Sequence, residues 1–482
     1  MSRRKIVATI GPATASVDAV RRLVEAGMSV ARLNGSHASL DWHVSAIGLI
    51  REAAPDIPIL LDIPGRKIRT AQLENEPSFG LGDTITLTTA AHYRGREKVL
   101  VNYPQLHTDL AAGSVILADD GQLRFTVVDI QGQDIVCRAE TAGTLRSAKG
   151  INVPTVTLRT ALVTERDREM LAFARQHGVD FVGISFVESA QHVRTIRDII
   201  GGSRPGIVAK IENQGAMQHL DEIVAASDAI MIDRGDLSVE TTLENVALAQ
   251  KTILAAARRA ACPAIVATEM LHSMIASSTP TKAEVSDITN AVLDGASAVM
   301  LSGETAVGAF PVEAVGTMRR IVDHVAEFAG MGREASERGQ EEVPAAIADA
   351  VGLLCAGASI TKIVAVTMSG FAARMVASRL PRQPILAVSN DRDAARSFNL
   401  LSGVTGVYVD IPFSRNSTDH IAHALEILWR RRLLVDSDLV LVVAVGYPRS
   451  GNRMNLLQVH RIADLGEALG WIEDRGERGV DS

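Results

Sequence analysis

The sequence predicts an α/β protein: a (β/α)8 barrel, interrupted by a small all-β insertion and followed by a doubly wound α/β domain. Three observations carry this. Eight short apolar segments alternate with amphipathic helical segments between residues 5 and 328. Residues 64–154 break that rhythm with period-two patterning. After a polar stretch at 330–342, strand and helix patterns alternate again.

The eight barrel strands are read at 5–11, 28–34, 57–63, 179–186, 206–213, 229–233, 264–269 and 298–302. Each is rich in Val, Ile and Ala on both faces, as a parallel strand covered on both sides must be. Helical patterns lie between them, among them 16–26, 164–177, 244–261 and 311–328. Gly27, Gly178 and Gly295 stand where C-terminal caps belong. The barrel is thus assigned to 1–63 and 155–330. Within the insert, 64–154, strands are expected at 84–88, 114–118, 123–129 and 134–140. The turn signals Asp119-Asp120-Gly121 and Gln131-Gly132-Gln133 separate them. This insert leaves the barrel at the face where barrel chemistry occurs, so it is placed to act as a lid. The third domain, 343–482, reads as helix 345–357, strand 362–367, helix 371–380, strand 385–388, helix 419–432 and strand 439–444. The segment 461–471 extends past what this pattern needs, and the last ten residues are polar and expected to be loose.

Composition narrows the function classes. The chain has 482 residues, 47% of them hydrophobic and 4% aromatic, with a net charge of −7. That balance gives no general drive toward nucleic acid or anionic membrane. The start, MSRRKIVATIGPAT, lacks the apolar core of a signal peptide, and no apolar run of about 18 residues occurs. Cys137, Cys262 and Cys355 are isolated, which suits free thiols in a reducing compartment. A cytoplasmic protein is expected.

Chemistry in such a barrel sits at the C-terminal strand ends. Those ends carry Arg32, Asn34, Asp62, Ser185, Lys210, Glu212, Arg234, Asp236, Thr268, Glu269, Ser302 and Glu304. In IVAKIEN, Lys210 and Glu212 are two apart and share one strand face among apolar neighbours. A lysine there is costly unless it is paired or used. Either it forms a structural ion pair, or it stabilises the negative charge of a transferring phosphoryl group. Glu212 and Asp236 supply hard oxygens suited to Mg²⁺ or Mn²⁺. Asp236 equally suits a helix cap or a partner for Arg234. Gly235 would let backbone N–H groups approach a substrate carboxylate. In ARLNGSH, Arg32, Asn34 and Ser36 lie on one side of an extended stretch, with forked donors from Arg32 for phosphate. No GxxxxGK[ST] loop exists, which argues against that class of nucleotide site.

KIVATIGPAT, GMSVARLNGSH, AKIENQGA, DRGDLSVE, ATEMLHSMI, PTKAEVSDITNAVLDGA and MLSGETAVGAFPVEAV, in that order, resemble the motifs of pyruvate kinase. The likeness covers nearly the whole chain. It implies transfer of phosphate from phosphoenolpyruvate to ADP, with Mg²⁺ (or Mn²⁺) as cofactor, in a homotetramer. By the resemblance, Lys210 is the lysine at the transferring phosphoryl group, Arg32 faces that group, and Glu212 and Asp236 hold Mg²⁺. Thr268 with Gly235 and Asp236 forms part of the phosphoenolpyruvate pocket, and proton delivery involves water near Thr268 and Ser302. Asn34, His37, Arg69 and Lys149 resemble nucleotide contacts, with Lys149 brought in by lid closure. Asn34, Ser36, Asp62 and Ile63 match the family's potassium site. Lys67, however, stands where potassium-dependent members carry glutamate. Its ammonium is expected near Asp62, replacing the charge of K⁺, so that K⁺ is not required.

Other departures concern the substrate. Asp233 replaces the usual alanine before Arg-Gly-Asp, Ser238 a glycine, Glu269 a glutamine, and Glu188 a frequent basic residue. Added carboxylates near a trianion weaken its binding unless they are paired or point away. Thr367, Ser369 and Gly370 precede a helix and could bind the phosphate of a sugar-phosphate or nucleotide effector, with 446–452 facing them; a helix cap is the other reading. At this level four readings stay open: a working pyruvate kinase, a paralogue with altered substrate or reduced activity, a Mg²⁺-dependent enolate-forming lyase or aldolase, and a non-enzymatic regulatory paralogue kept for binding.

Overall fold

The computed structural model describes residues 4–119, 121–154, 156, 162–329, 343–414, 417–446 and 454–471. Eight parallel strands close a barrel: β1 (Lys5–Thr9), β2 (Val30–Asn34), β3 (Ile59–Ile63), β4 (Phe181–Ile184), β5 (Gly206–Ile211), β6 (Ala229–Asp233), β7 (Ala264–Ala267) and β8 (Ala298–Leu301). Each pairs with its sequence neighbours, and β8 returns to β1. Alternate residues face two different cores. Val7, Val30, Leu60, Val208, Met231, Ile265 and Met300 fill the interior, while Ile6, Ala8, Ala31, Leu61, Ile207, Ile230 and Val299 pack against the surrounding helices. Leu400, from the C-terminal part of the chain, joins the interior core.

Local sequence sets the helix starts. Ser16, Ser39 and Ser189 cap helices with their hydroxyls, and Thr164 with Asp167 and Thr281 with Glu284 form capping boxes. Gly27, Gly178 and Gly295 all have positive φ near helix ends, as expected.

Between β3 and β4 lies a seven-stranded sheet with its own core around Ile85, Leu87, Ile116, Phe125 and Ile135. It contains the four expected strands, seen at Thr84–Thr88, Val115–Ala118, Leu123–Gln131 and Asp134–Ala139, plus short ones that alternation could not reveal. The C-terminal sheet has five strands in the order Val404–Tyr408, Ile385–Ser389, Lys362–Val366, Leu439–Ala444, Leu456–Arg461, the last antiparallel. Two of these, Val404–Tyr408 and Leu456–Arg461, are not expected from the sequence. The first contains glycine and the second carries Gln458, His460 and Arg461, so neither reads as an apolar strand. The extra segment after it forms the helix Ile462–Ala468 and seats Trp471 beside Trp429, with ring centroids 5.9 Å apart. The polar stretch 330–342 and the tail 472–482 lie outside the described residues.

Among the described residues, no helix is long and apolar enough to cross a membrane. The three cysteines are free thiols.

Candidate active site

Strand ends deliver the expected charges to one rim. Lys210, on β5, is 6% exposed. Its Nζ lies 3.0 Å from Glu212 Oε2 and 2.8 Å from Asp233 Oδ2, and donates to Ser185 Oγ at 3.3 Å. Ser185 in turn donates to the Ile63 carbonyl at 3.0 Å. Glu212, fully buried, follows the last residue of β5 and accepts the Phe186 N–H through Oε1 at 2.5 Å. Its Oε2 has no hydrogen bond. Asp233 ends β6, and Asp236 lies in the first turn of the helix Arg234–Glu240. Oxygens of Glu212, Asp233 and Asp236 all lie within 4.8 Å of one another. This grouping, with an unbonded buried carboxylate oxygen in it, fits a hard divalent cation.

Electrostatics around Lys210 oppose its burial. Burial lowers its pKa, but Asp233, Glu212, Asp62 and Asp236 outweigh this and hold it well above the usual lysine value. Glu212 is pushed up by burial against the pull of Lys210. Asp233 is lowered despite its burial, because Lys210 both attracts it and donates to it.

Arg32 and Asp62 are both buried and paired, Nε to Oδ2 at 2.7 Å, while Arg32 Nη1 donates to Thr9 at 3.0 Å. Asp62 Oδ1 faces Gly183, where a Cβ would sit 1.9 Å away. A glycine is required at that position on β4 for the carboxylate to fit. Lys67 is not at Asp62, as the sequence suggested. Its Nζ reaches Asp236, at 2.7 and 3.0 Å from the two oxygens, and lies 5.7 Å from the Phe186 ring centroid. The cause is local: Arg32 already neutralises Asp62, and Lys67 lies beyond β3 on the chain entering the insert.

The other expected contacts divide. Asn34 is half-buried and accepts the Ser36 N–H at 3.2 Å, while Ser36 and His37 are exposed. Arg69 donates to the Ala148 carbonyl at 3.1 Å, and Lys149 pairs with Asp119 at 2.6 Å, both within the insert rather than at the Lys210 cluster. Thr268 (φ +70°) accepts the Gly235 N–H at 2.9 Å. That backbone donor thus has an internal partner rather than pointing freely outward. Arg234 does not pair with Asp236; it binds Asp287 at 2.6 Å and the Thr268 carbonyl at 2.6 Å, bracing the loop that carries Thr268. Ser302 donates its N–H to Glu304 at 2.7 Å, and Glu304 also accepts from Leu271, so this buried glutamate ties two strand-end loops together.

The comparisons with known proteins agree with this architecture. The family model "Pyruvate kinase, barrel domain" matches residues 1–315, and "Pyruvate kinase, alpha/beta domain" matches 345–460. The chain belongs to the pyruvate kinase family. It is 38% identical over 485 residues to the pyruvate kinase of Geobacillus stearothermophilus, covering 97% of this chain and 82% of that one. It is 37% identical to that of Mycobacterium tuberculosis over 474 residues, covering 96% and 99%. A crystal structure of a pyruvate kinase from Cryptosporidium parvum superposes with a TM-score of 0.84 at 31% identity, covering 96% of each chain. The protein is thus an enzyme of the transferase class, in a glycolytic kinase family.

Against that family, the departures take definite places. Asp233 turns inward and joins the Lys210 cluster. In the sequence it stands only as an added charge. The usable signal is that it ends a strand one register step beyond the paired residues Ile211 and Ile232, level with Glu212. Glu269 is exposed, and Glu188 pairs with Arg66 at 3.0 Å. Ser238 donates to the Gly235 carbonyl at 2.8 Å. A contact that no sequence pattern signals joins insert to barrel: Asn152 donates to Glu240 at 2.9 Å. In the C-terminal part, Thr367 accepts the Gly370 N–H at 3.1 Å in a tight turn before the helix Phe371–Ser378, whose N-cap Gly370 offers no side-chain cap bond, and Ser369 is exposed. Of the facing loop 446–452, only Gly446 is among the described residues.

Proposed function

We propose that this enzyme transfers the phosphoryl group of phosphoenolpyruvate to ADP, giving pyruvate and ATP. The observation that carries the reading is the buried Lys210 ammonium beside three clustered carboxylates at the barrel rim. In it, Lys210 and Arg32 face the phosphoryl group and offset the charge spread over its oxygens. Glu212 and Asp236 would hold Mg²⁺ or Mn²⁺, which when bound clamps and polarises substrate oxygens. Thr268, Gly235 and Asp236 line the carboxylate end of phosphoenolpyruvate, and Ser302 with Thr268 orients the water that protonates the enolate carbon. Asn34, His37, Arg69 and Lys149 serve the ADP phosphates, with Lys149 exchanging Asp119 for the nucleotide as the insert closes.

Lys67 makes K⁺ unnecessary in this reading. Its fixed positive charge stands at the rim on Asp236, and in this reading it replaces the charge that a monovalent ion at Asn34, Ser36, Asp62 and Ile63 would bring. The same reading assigns 1–63 and 155–330 to the catalytic barrel, 64–154 to a lid, and 343–482 to an oligomer and effector domain. Within the last, Thr367, Ser369 and Gly370 would take the phosphate of a sugar-phosphate or nucleotide effector. A homotetramer and a cytoplasmic setting, suited to free thiols, complete it.

The test is a coupled assay of pyruvate formation from phosphoenolpyruvate and ADP, with and without K⁺. Turnover independent of K⁺ and lost in Lys210→Met is expected. Absence of turnover by the unaltered enzyme ends the reading, and strong activation by K⁺ ends the part given to Lys67. One observation favours a paralogue with altered substrate: Asp233 pairs with Lys210 and so offsets the charge that Lys210 would offer a trianion. A poor kcat/KM for phosphoenolpyruvate would favour it.

A further inference from the structure

Three carboxylates, rather than two, converge at the barrel rim. They come from three places in the chain: Glu212 just after β5, Asp233 at the end of β6, and Asp236 in the helix beyond it. Their oxygens lie within 4.8 Å of one another. The side chains are enclosed, at 0%, 11% and 12% exposed. Like charges this close repel strongly in a water-poor setting unless cations stand among them. Two do so. Lys210 bridges Glu212 and Asp233, and Lys67 grips both oxygens of Asp236. Three carboxyl groups thus face two ammonium groups.

A second observation points to a ligand. Glu212 Oε2 is wholly buried, lies against this group and has no hydrogen bond, although its sister oxygen has a short one to Phe186. The 3.0 Å approach of Lys210 to that oxygen is an ion-pair distance without hydrogen-bond alignment. The Lys210 charge offsets part of the cost of burying that oxygen, and its lone pairs stay open to a second cation.

A site with two carboxylates holds Mg²⁺ weakly and depends on substrate oxygens to complete the shell. A third carboxylate changes this, because affinity for hard cations rises with the number of charged ligands. We propose that Asp233 is a third carboxylate ligand of the divalent ion at this site, and that it tightens the hold of the substrate-free protein on that ion. The proposal rests on the assignment of Glu212 and Asp236 to that ion. The rival role for Asp233 is that of a counter-ion to Lys210 alone.

Mn²⁺ is the probe, titrated into the full-length enzyme without substrate while electron paramagnetic resonance follows the free ion. One site per chain is expected. Asp233→Asn, which keeps the shape, should weaken binding at least about tenfold, and Asp233→Glu should recover most of it. Asp233→Ala is the second removal variant, and circular dichroism with thermal melting confirms that each variant is folded. Binding in Asp233→Asn or Asp233→Ala as tight as in the unaltered enzyme overturns the proposal and leaves Asp233 a counter-ion. Absence of Mn²⁺ binding by the unaltered enzyme overturns it equally. Pyruvate formation by the unaltered enzyme is read separately, so loss of this proposal leaves the phosphotransfer reading standing. Conversely, a tight Mn²⁺ site in a chain that makes no pyruvate separates the two the other way.

Discussion

At Lys210 and Lys5 the same residue type is buried under opposite electrostatics. Lys210 is held well above its ordinary pKa by acidic neighbours that outweigh its burial, so it stays an ammonium. Its replacement by Met should lower kcat by about 10³-fold, within the range seen when a charge acting on a transferring phosphoryl group is removed. Steady-state kinetics with circular dichroism as a fold control measures this; a loss below tenfold would remove Lys210 from the chemistry. Lys5 has no such neighbours. Burial, then the nearby Arg319, pull it down to about 8, although it donates to the Val404 carbonyl at 2.5 Å. Its unfolded pKa lies near 10.5, so between those values the unfolded chain binds more protons and stability rises with pH. The cost of the charge is present in full below about 8 and fades toward 10.5. The melting temperature of the unaltered protein, relative to Lys5→Met, should therefore improve from pH 7 to pH 10. A constant difference across that range would show that Lys5 titrates normally. Sequence shows only the flanking residues, Arg4 before Lys5 and Glu212 two beyond Lys210; Arg319, Asp233, Asp62 and Asp236, which come from elsewhere in the chain, are added only by folding.

Among the elements, β6, β7 and the helix Arg234–Glu240 show how strand ends become a site. Their apolar runs are plain in sequence, because a strand covered on both faces needs Val, Ile and Ala throughout. The backbone path beyond each run is not. After β7 the backbone takes positive φ at two consecutive non-glycine residues, Thr268 at +70° and Glu269 at +56°. Arg234, through Asp287 and the Thr268 carbonyl, holds that conformation. A β-branched residue there is strained, and such strain persists only where the surroundings fix it. Glu269 is exposed, so its strain can be relieved without touching Thr268. Glu269→Gly should leave stability unchanged or raise it by up to about 1 kcal/mol, the eased backbone offsetting the added freedom of glycine in the unfolded chain. Urea denaturation reads this, and a loss greater than about 1 kcal/mol would mean that the Glu269 side chain contributes contacts of its own.

Across the whole molecule, one buried ion pair and a few hydrogen bonds and exposed charges join parts that sequence can only place side by side. Asp180, just before β4, is 4% exposed and accepts from Arg51, from the Ile59 N–H and from Arg396 of the C-terminal part, each at 2.7–2.8 Å. Arg4 to Ser402, Lys5 to Val404 and Arg204 to Asp391 cross the same junction. Removing this buried anion leaves Arg51 without a carboxylate and Arg396 with the exposed Asp393 alone, a loss of about 3 kcal/mol. Asp180→Ala should therefore lower the thermal transition and split it in calorimetry, as the C-terminal sheet loses its hold on the barrel. A single unshifted transition would place the coupling elsewhere. The barrel, the all-β insert, the α/β sheet and the set of charged strand ends are legible in sequence, because burial on both faces, period-two alternation and strand-end position each depend only on neighbours along the chain. The partners are not legible. That Lys67 grips Asp236 and leaves Asp62 to Arg32, that Asp233 turns inward while Glu269 stays in water, and that Arg234 braces a loop all depend on distances between residues far apart in sequence. Coulomb energy and desolvation are set by those distances, and only closure of the barrel fixes them.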